Sequence, residues 1–422
     1  MDRAKLKIPA HLPDRLAICS WIWAWISSGT PGEPYGDLEK AMAETKDRGF
    51  NCIRVDAGLN WCFDLKGNPR GEMEFRPWIE GYHSNLRTTN CRGGGRHDVL
   101  KRVIRMMELA REYGIYVILT SWEYQDSTWL VADRKIRDEV YAIPVEDRLI
   151  RLAHQHDRLL NLLKERGLDK MIAFVEPHNE IEHSEFLKDV AGMKRISEEA
   201  IAFLSDRHPD LLFSSDHSSE NNFSMIADNT QVFDMHLYAG ASMYFNGILA
   251  QSVWHPDFDP NDPRKLPLLD RLLKDKIVPW DEFQKPARNI REFWRPFCWL
   301  YENLKNEEWD NWMLEHYAEF WPEAQSKAVN LIASFGAEAA HRGIPAVLDE
   351  GGWFYPPFNS RFEEMPEGLA LFEVMQEQAI KNNYWGFMPT TYCGPEQPIW
   401  YANPRWLKEM NRRFLKSGES FG

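Results

Sequence analysis

The chain has 422 residues, with 50 Lys plus Arg against 64 Asp plus Glu for a formal net charge of −14, and 44% hydrophobic and 27% charged residues. This is the balance of an ordinary globular protein and excludes disorder, collagen and coiled coil. The negative field disfavours nucleic acid and anionic membrane surfaces as partners. Aromatic residues are abundant, at 18 Trp, 14 Tyr and 23 Phe, and the six cysteines form no CxxC pair, so they read as buried thiols.

In chain order, the first apolar run, 16–25, is rich in Trp and lacks a small-residue cleavage site, which predicts a strand and not a signal peptide. No other segment is long enough to span a bilayer, so a cytoplasmic location is expected. Further strand-like runs follow at 52–57, 115–121, 171–178, 211–216, 232–238, 346–350 and 384–389. Amphipathic helical patterns fall between them at 37–48, 98–113, 145–166, 185–207, 323–342 and 368–382, with a short one near 222–229. Gly49, Gly114, Gly167 and Gly343 follow four of these helices, where glycine best closes a helix.

Eight strands alternating with helices predict an α/β fold, a single (β/α)8 TIM barrel over 1–422. Two long interruptions, 60–97 and 239–321, follow the second and sixth strands and are expected to be βα loops walling an active site.

Chemistry concentrates where apolar runs end. The fourth reads Ile172-Ala173-Phe174-Val175-Glu176-Pro177-His178-Asn179-Glu180, and the seventh reads Ala346-Val347-Leu348-Asp349-Glu350-Gly351-Gly352-Trp353. Catalytic groups of barrels sit at such strand ends, so Glu180 and Glu350 are placed to face one another. Two facing carboxylates suit glycosidic cleavage, in which one protonates the leaving oxygen and the other attacks or stabilises the anomeric carbon.

The Asn179-Glu180 and Glu350 strand ends resemble clan A glycoside hydrolases, the retaining enzymes that include family 5 cellulases and mannanases. The resemblance implies that Glu180 is the general acid/base, that Glu350 is the nucleophile and that Asn179 binds the sugar 2-hydroxyl. It also implies that Arg54, on the second strand, supports the nucleophile. His236 and Tyr238 are similar to the His-x-Tyr pair lining the clan's site. Tyr238 is then expected to donate to Glu350, and His236 to contact substrate or acid.

Two departures are visible. The third strand runs into Ser121-Trp122-Glu123-Tyr124 instead of a sugar-binding histidine, and Trp385 lies near the start of the eighth strand instead of its end. Trp122, Glu123, Tyr392 or Trp400 could fill these roles. Trp25, Trp61 and Trp353, near strand ends, are further candidate substrate contacts beside Trp385, because sugar rings stack on indole. Trp25 could equally pack beneath helices.

No metal or cofactor is expected: His178, Glu182 and His183 lack a ligand spacing such as HExxH, and neither GxSxG nor GxGxxG follows a strand. Arg92-Gly93-Gly94-Gly95-Arg96 reads as a flexible loop. The expected partner is a β-linked glycoside or short oligosaccharide, cleaved with retention and by exo action. Retention requires carboxyl groups about 5–5.5 Å apart, and Glu180 is expected to have the higher pKa of the two. The competing readings are a carbohydrate-binding barrel without turnover and a transglycosylase using the same glutamates.

Overall fold

The computed structural model describes residues 6–76, 94–125, 127–218, 222–285 and 295–418. Its strands are β1 (Leu16–Trp21), β2 (Cys52–Asp56), β3 (Glu72–Phe75), β4 (Gly95–Asp98), β5 (Tyr116–Thr120), β6 (Ile172–Val175), β7 (Phe233–Asp234), β8 (Ala346–Leu348) and β9 (Gly386–Phe387). Seven of them form one sheet in the order β6-β5-β2-β1-β9-β8-β7, with parallel neighbours throughout. The strands are short, apolar and buried, as parallel strands covered by helices must be. Because β1 pairs with β9 through Leu16↔Gly386 and Ala17↔Phe387, the first and last strands are neighbours and the sheet curls.

The predicted run 211–216 makes no regular ladder. Phe213 and Ser214 instead form single parallel bridges, to Val175 beside β6 and to Val232 beside β7. The cause is local chemistry. The Ser214 hydroxyl donates to Val232 O, an acceptor a ladder would use, so side-chain bonding competes with regular pairing.

Of the helix predicted near 222–229 only a 3-10 turn, Phe223–Met225, forms, while three of the others form with caps that trim their starts. Asp37, Asp98 and Asp189 are N-caps whose carboxylates accept from Lys40, Lys101 and Gly192 amides, so the helices are Leu38–Asp47, Val99–Tyr113 and Val190–Arg207. Gly49, Gly114, Gly167 and Gly343 all take positive φ, as their positions after helices required. The helix expected at 323–342 begins much earlier, running Asn306–Arg342 with Pro322 inside it. Residues 306–321 therefore leave the loop assigned to 239–321. A proline removes one helical hydrogen bond, and the buried Trp309, Trp312 and Met313 anchor the preceding turns.

In the first insertion, β3 and β4 form an antiparallel ribbon in which Gly95 and Arg96 face Phe75 and Glu74. The described end of the glycine-rich segment is therefore strand and not loop; Arg92 and Gly93 lie outside the described residues, as does Cys91. The second insertion absorbs much of the aromatic excess. Phe245 stacks on Trp254 at 5.2 Å between ring centroids, Trp254 meets Phe297 at 4.9 Å, and Phe245 meets Phe354, just beyond β8, at 4.3 Å. The cysteines Cys19, Cys52, Cys62, Cys298 and Cys393 are buried free thiols. Among the described residues no helix is long and apolar enough to cross a membrane.

Candidate active site

The carboxyl ends of the parallel strands converge on Arg54, whose guanidinium is fully buried in β2. Its Nη1 donates to Glu350 Oε2 at 3.0 Å, and its Nη2 donates to Glu176 Oε2 at 2.7 Å, Asn179 Oδ1 at 2.7 Å and Asp216 Oδ2 at 3.1 Å. Nε lies 3.1 Å from Asp349 Oδ2. The Trp122 ring covers the guanidinium, 4.8 Å from its carbon. Burial alone would favour the neutral form, but Asp349, Glu176 and Asp216 outweigh it and keep Arg54 charged. Asp56, an alternative partner on the same strand, instead accepts the Gly58 amide at 2.9 Å.

Beyond β8 the chain passes so close to the segment after β7 that a Cβ on Gly351 would sit 2.2 Å from Leu237 O, and Gly351 itself has φ +146°. Only glycine suits that approach. Leu237 N donates to Glu350 O at 3.1 Å and Gly352 N to Leu237 O at 2.8 Å, which brings Glu350 beside Tyr238 and His236. Glu350 Oε1 accepts from the Tyr238 hydroxyl and, at 2.9 Å, from that of Tyr392. Tyr355 joins this group, its hydroxyl 3.3 Å from that of Tyr238 and its ring stacked on Tyr392 at 5.6 Å.

Glu180 follows β6 in a left-handed conformation, φ +39°, with its amide bonded to Asp216 Oδ2 at 3.1 Å. Its Oε1 pairs with His236 Nδ1 at 2.7 Å, and Gln125 Nε2 donates to its Oε2 at 3.4 Å. Gln125 in turn accepts from Asn179 Nδ2 at 2.8 Å, so the Asn179 amide bridges Arg54 and Gln125. One carboxylate oxygen of Glu180, one of Glu350 and one nitrogen of His236 lie within 4.8 Å of one another. Two further sets are equally close, Asp216 with Asp234 and His236, and Glu176 with Asp234 and Asp349. Among the described residues, these three groups are the ones whose spacing could hold a cation.

Burial raises the Glu180 carboxyl, yet the hydrogen bond and charge of His236 more than reverse this and leave it below the ordinary carboxylate range. This direction runs against the expectation that Glu180 holds a proton near neutrality.

The predicted aromatic contacts divide. Tyr392 reaches Glu350 and Trp122 lies on Arg54, so both belong to the cluster. Trp25, Trp61, Trp353 and Trp385 are instead buried in packing. Trp25 Nε1 donates to Asp56 O, Trp353 Nε1 to Gly368 O and Trp385 Nε1 to Pro13 O, while Trp61 sits edge-on to Phe75 at 5.0 Å. Their indoles offer no open face to a sugar. Glu123 is also buried, accepting from the Ser121 and Thr128 hydroxyls and the Asn60 amide, at 3.2 Å for Asn60, and so ties down the loop after β2. Thr128 bonds the Glu123 backbone carbonyl, and Ser121 and Asn60 its carboxylate. Trp400 bonds Glu44 and carries Arg48 over its ring, in a separate region. Glu182 pairs with His217, 3.2 Å away.

Sequence reasoning passed over Glu176, Asp216, Asp349, Gln125 and Tyr355. Glu176 and Asp349 carried a usable signal, since each directly follows an apolar run, and Asp216 closes the predicted strand 211–216; Gln125 and Tyr355 lie in loops without one.

A curled parallel sheet whose strand ends gather a buried arginine, an imidazole and facing glutamates defines the class: an α/β protein with a carboxylate-rich site at the carboxyl ends of its strands. A family model described as sugar-binding cellulase-like matches residues 18–163, the part of the chain ahead of Glu180 and Glu350. Among solved structures, a candidate glycoside hydrolase from Parabacteroides distasonis ATCC 8503 is similar at 16% identity and a TM-score of 0.64, covering 95% of this chain and 93% of that one. The exo-β-1,4-mannosidase Op5Man5 from Opitutaceae bacterium strain TAV5 is similar at 11% identity and a TM-score of 0.51, covering 99% of this chain and 63% of that one. At these identities the likeness is one of fold. No curated protein matches the chain significantly.

Proposed function

We propose that the protein is a retaining glycoside hydrolase acting on β-linked glycosides or oligosaccharides, on a closed eight-stranded barrel. The single bridges from Phe213 to Val175 and from Ser214 to Val232 support the closure, because they fill the gap between β6 and β7. The observation that carries the function is the approach of Glu180 and Glu350 to within 4.8 Å, oxygen to oxygen. Retaining enzymes hold their carboxyl groups about 5–5.5 Å apart, whereas inverting enzymes leave about 6.5–9.5 Å for a water.

The two glutamates have unlike surroundings, which supports unlike roles. Glu350 faces a guanidinium and two phenols, donors that fix and orient its carboxyl group for attack. Glu180 faces an imidazole, a partner that can exchange a proton with it. Glu350 attacks the anomeric carbon while Glu180 protonates the departing oxygen, giving a glycosyl ester on Glu350. Glu180 then removes a proton from the water that attacks the same carbon, and the ester bond breaks. The cellulase-like family match supports carbohydrate as the substrate class.

The test is a screen of nitrophenyl glycosides with the wild type, Glu180→Gln and Glu350→Gln. Loss of about 10²–10⁴-fold in Glu180→Gln, and of at least about 10⁴-fold in Glu350→Gln, is expected on any substrate the wild type cleaves. A wild type that binds sugars but cleaves none of a broad panel overturns the reading in favour of a binding protein.

A further inference from the structure

We propose that Asp216 is a positioning residue that clamps His236 as an imidazolium against Glu180, so that His236 stores the proton Glu180 delivers. The proposal rests on Glu180 being the acid/base.

The fully buried His236 ring is flanked by oxygens at both nitrogens. Nδ1 lies 2.7 Å from Glu180 Oε1 and 3.7 Å from Glu350 Oε2, and Nε2 lies 3.1 Å from Asp216 Oδ1 and 3.2 Å from Asp349 Oδ1. Nδ1 makes the hydrogen bond to Glu180, while Nε2 meets the two aspartates at ion-pair distance without hydrogen-bond alignment, so it is the positive charge of the imidazolium that answers them. Arg54, the nearby cation, is drawn to the far oxygens of both aspartates, Asp216 Oδ2 and Asp349 Oδ2, and shares Glu350 Oε2 with the ring. Burial favours the neutral ring, yet the surrounding Asp216, Glu350, Asp349 and Glu180 outweigh it and raise the His236 pKa.

Asp216 has a second task on its other oxygen. Oδ2 accepts the Glu180 amide at 3.1 Å while also meeting Arg54. Glutamate seldom adopts a φ of +39°, and such a conformation persists where neighbours hold it. One carboxylate thus sets both the ring beneath Glu180 and the backbone that aims it.

The proton count closes. His236 passes its Nδ1 proton to the Glu180 carboxylate, which hands that same proton to the leaving oxygen, so that Glu180 is again a carboxylate and the ring is neutral while the glycosyl ester exists. In the second half, Glu180 takes a proton from water and returns it to Nδ1, restoring the imidazolium.

The test is ¹⁵N NMR of the histidine-labelled full chain, with the His236 signals assigned by their loss in His236→Gln. The wild type is expected to show both ring nitrogens protonated from pH 6 to 8. Asp216→Asn is expected to lower the midpoint by about one unit or more, since it deletes an adjacent opposite charge. It should move the alkaline limb of the pH–activity profile to lower pH by the same amount, with Asp216→Glu restoring part of the shift. A neutral ring in the wild type at pH 6, or an unchanged midpoint in Asp216→Asn, overturns the proposal. If Asp216→Asn does not fold, the wild-type spectrum decides alone. Because the spectrum needs no turnover, a wild type inert on every glycoside would sink the hydrolase reading without altering what the ring nitrogens report.

Discussion

Arg54→Met removes the guanidinium from contact with Glu176, Asp216, Asp349 and Glu350, which it meets at 2.7, 3.1, 3.1 and 3.0 Å. Methionine fills much of the same space, so lost charge dominates the effect. Breaking a buried ion pair by deleting one partner costs about 3–5 kcal/mol. The four pairs share one cation, so their costs do not add, and the stranded carboxylates limit the penalty by taking up protons. A net loss of about 5 kcal/mol near pH 7 is therefore expected.

For 422 residues, an unfolding entropy of about 2.1 cal/mol/K per residue gives about 0.9 kcal/mol/K, so melting should fall by roughly 5 °C. The penalty also has a direction in pH. Burial raises the Asp349 carboxyl, but Arg54 and His236 more than reverse this in the wild type. Its contribution is present above the unfolded carboxylate value of about 3.9 and lost as pH falls through the lower folded value. Without Arg54 the buried acids titrate above their unfolded values, so the variant regains stability as pH falls from 7 toward 4. Thermal melts of both proteins from pH 4.5 to 8 test this. A variant melting within 1 °C of the wild type at pH 7, or a gap that widens toward acid, would refute the reasoning.

Tyr238→Phe and Tyr392→Phe each remove a donor from the same Glu350 oxygen. A hydrogen bond to a charged group is worth about 1.5–3 kcal/mol, so each should lower kcat/KM about 10–100-fold. Shared use of Oε1 makes the double variant differ from the product of the singles, and a double-mutant cycle returning no coupling counts against that arrangement. Elsewhere, burial pushes Glu396 up to about 7 despite the hydroxyl of Tyr35. A carboxyl with a raised folded pKa favours the fold below the unfolded value of about 4.3, and that advantage is lost as pH rises through 7, a swing of about 4 kcal/mol. Glu396→Gln should therefore flatten the decline of melting temperature between pH 5 and 8; an unchanged slope would show that Glu396 does not carry it.

Strand ends were the legible part of the chain. Glu180 and Glu350 stood out because an apolar run that stops in a carboxylate leaves few places for that group except a rim, and Arg54, His236 and Tyr238 followed from the resemblance to clan A glycoside hydrolases. The acids binding Arg54 were harder to read. Glu176 and Asp349 adjoin the same motifs, but which carboxylate meets the guanidinium depends on strand stagger, a property of the assembled sheet. Tryptophans were the least legible: Trp25, Trp61 and Trp353 lie near strand ends, yet whether an indole faces outward or inward is decided by helices distant in sequence. Trp353 shows this, since its N–H is bound by Gly368 O at 2.8 Å. Pro322 concealed a helix for a related reason, because tertiary packing of Trp309 and Trp312 overrode a local break.

The decisive measurement is ¹H NMR of the anomer first released from a β-glycoside that the wild type cleaves, recorded before mutarotation. Double displacement through Glu350 gives the β-anomer first, with the α-anomer growing only as the sugar equilibrates. An α-anomer appearing first means direct attack by water on the sugar, and would contradict a nucleophilic Glu350.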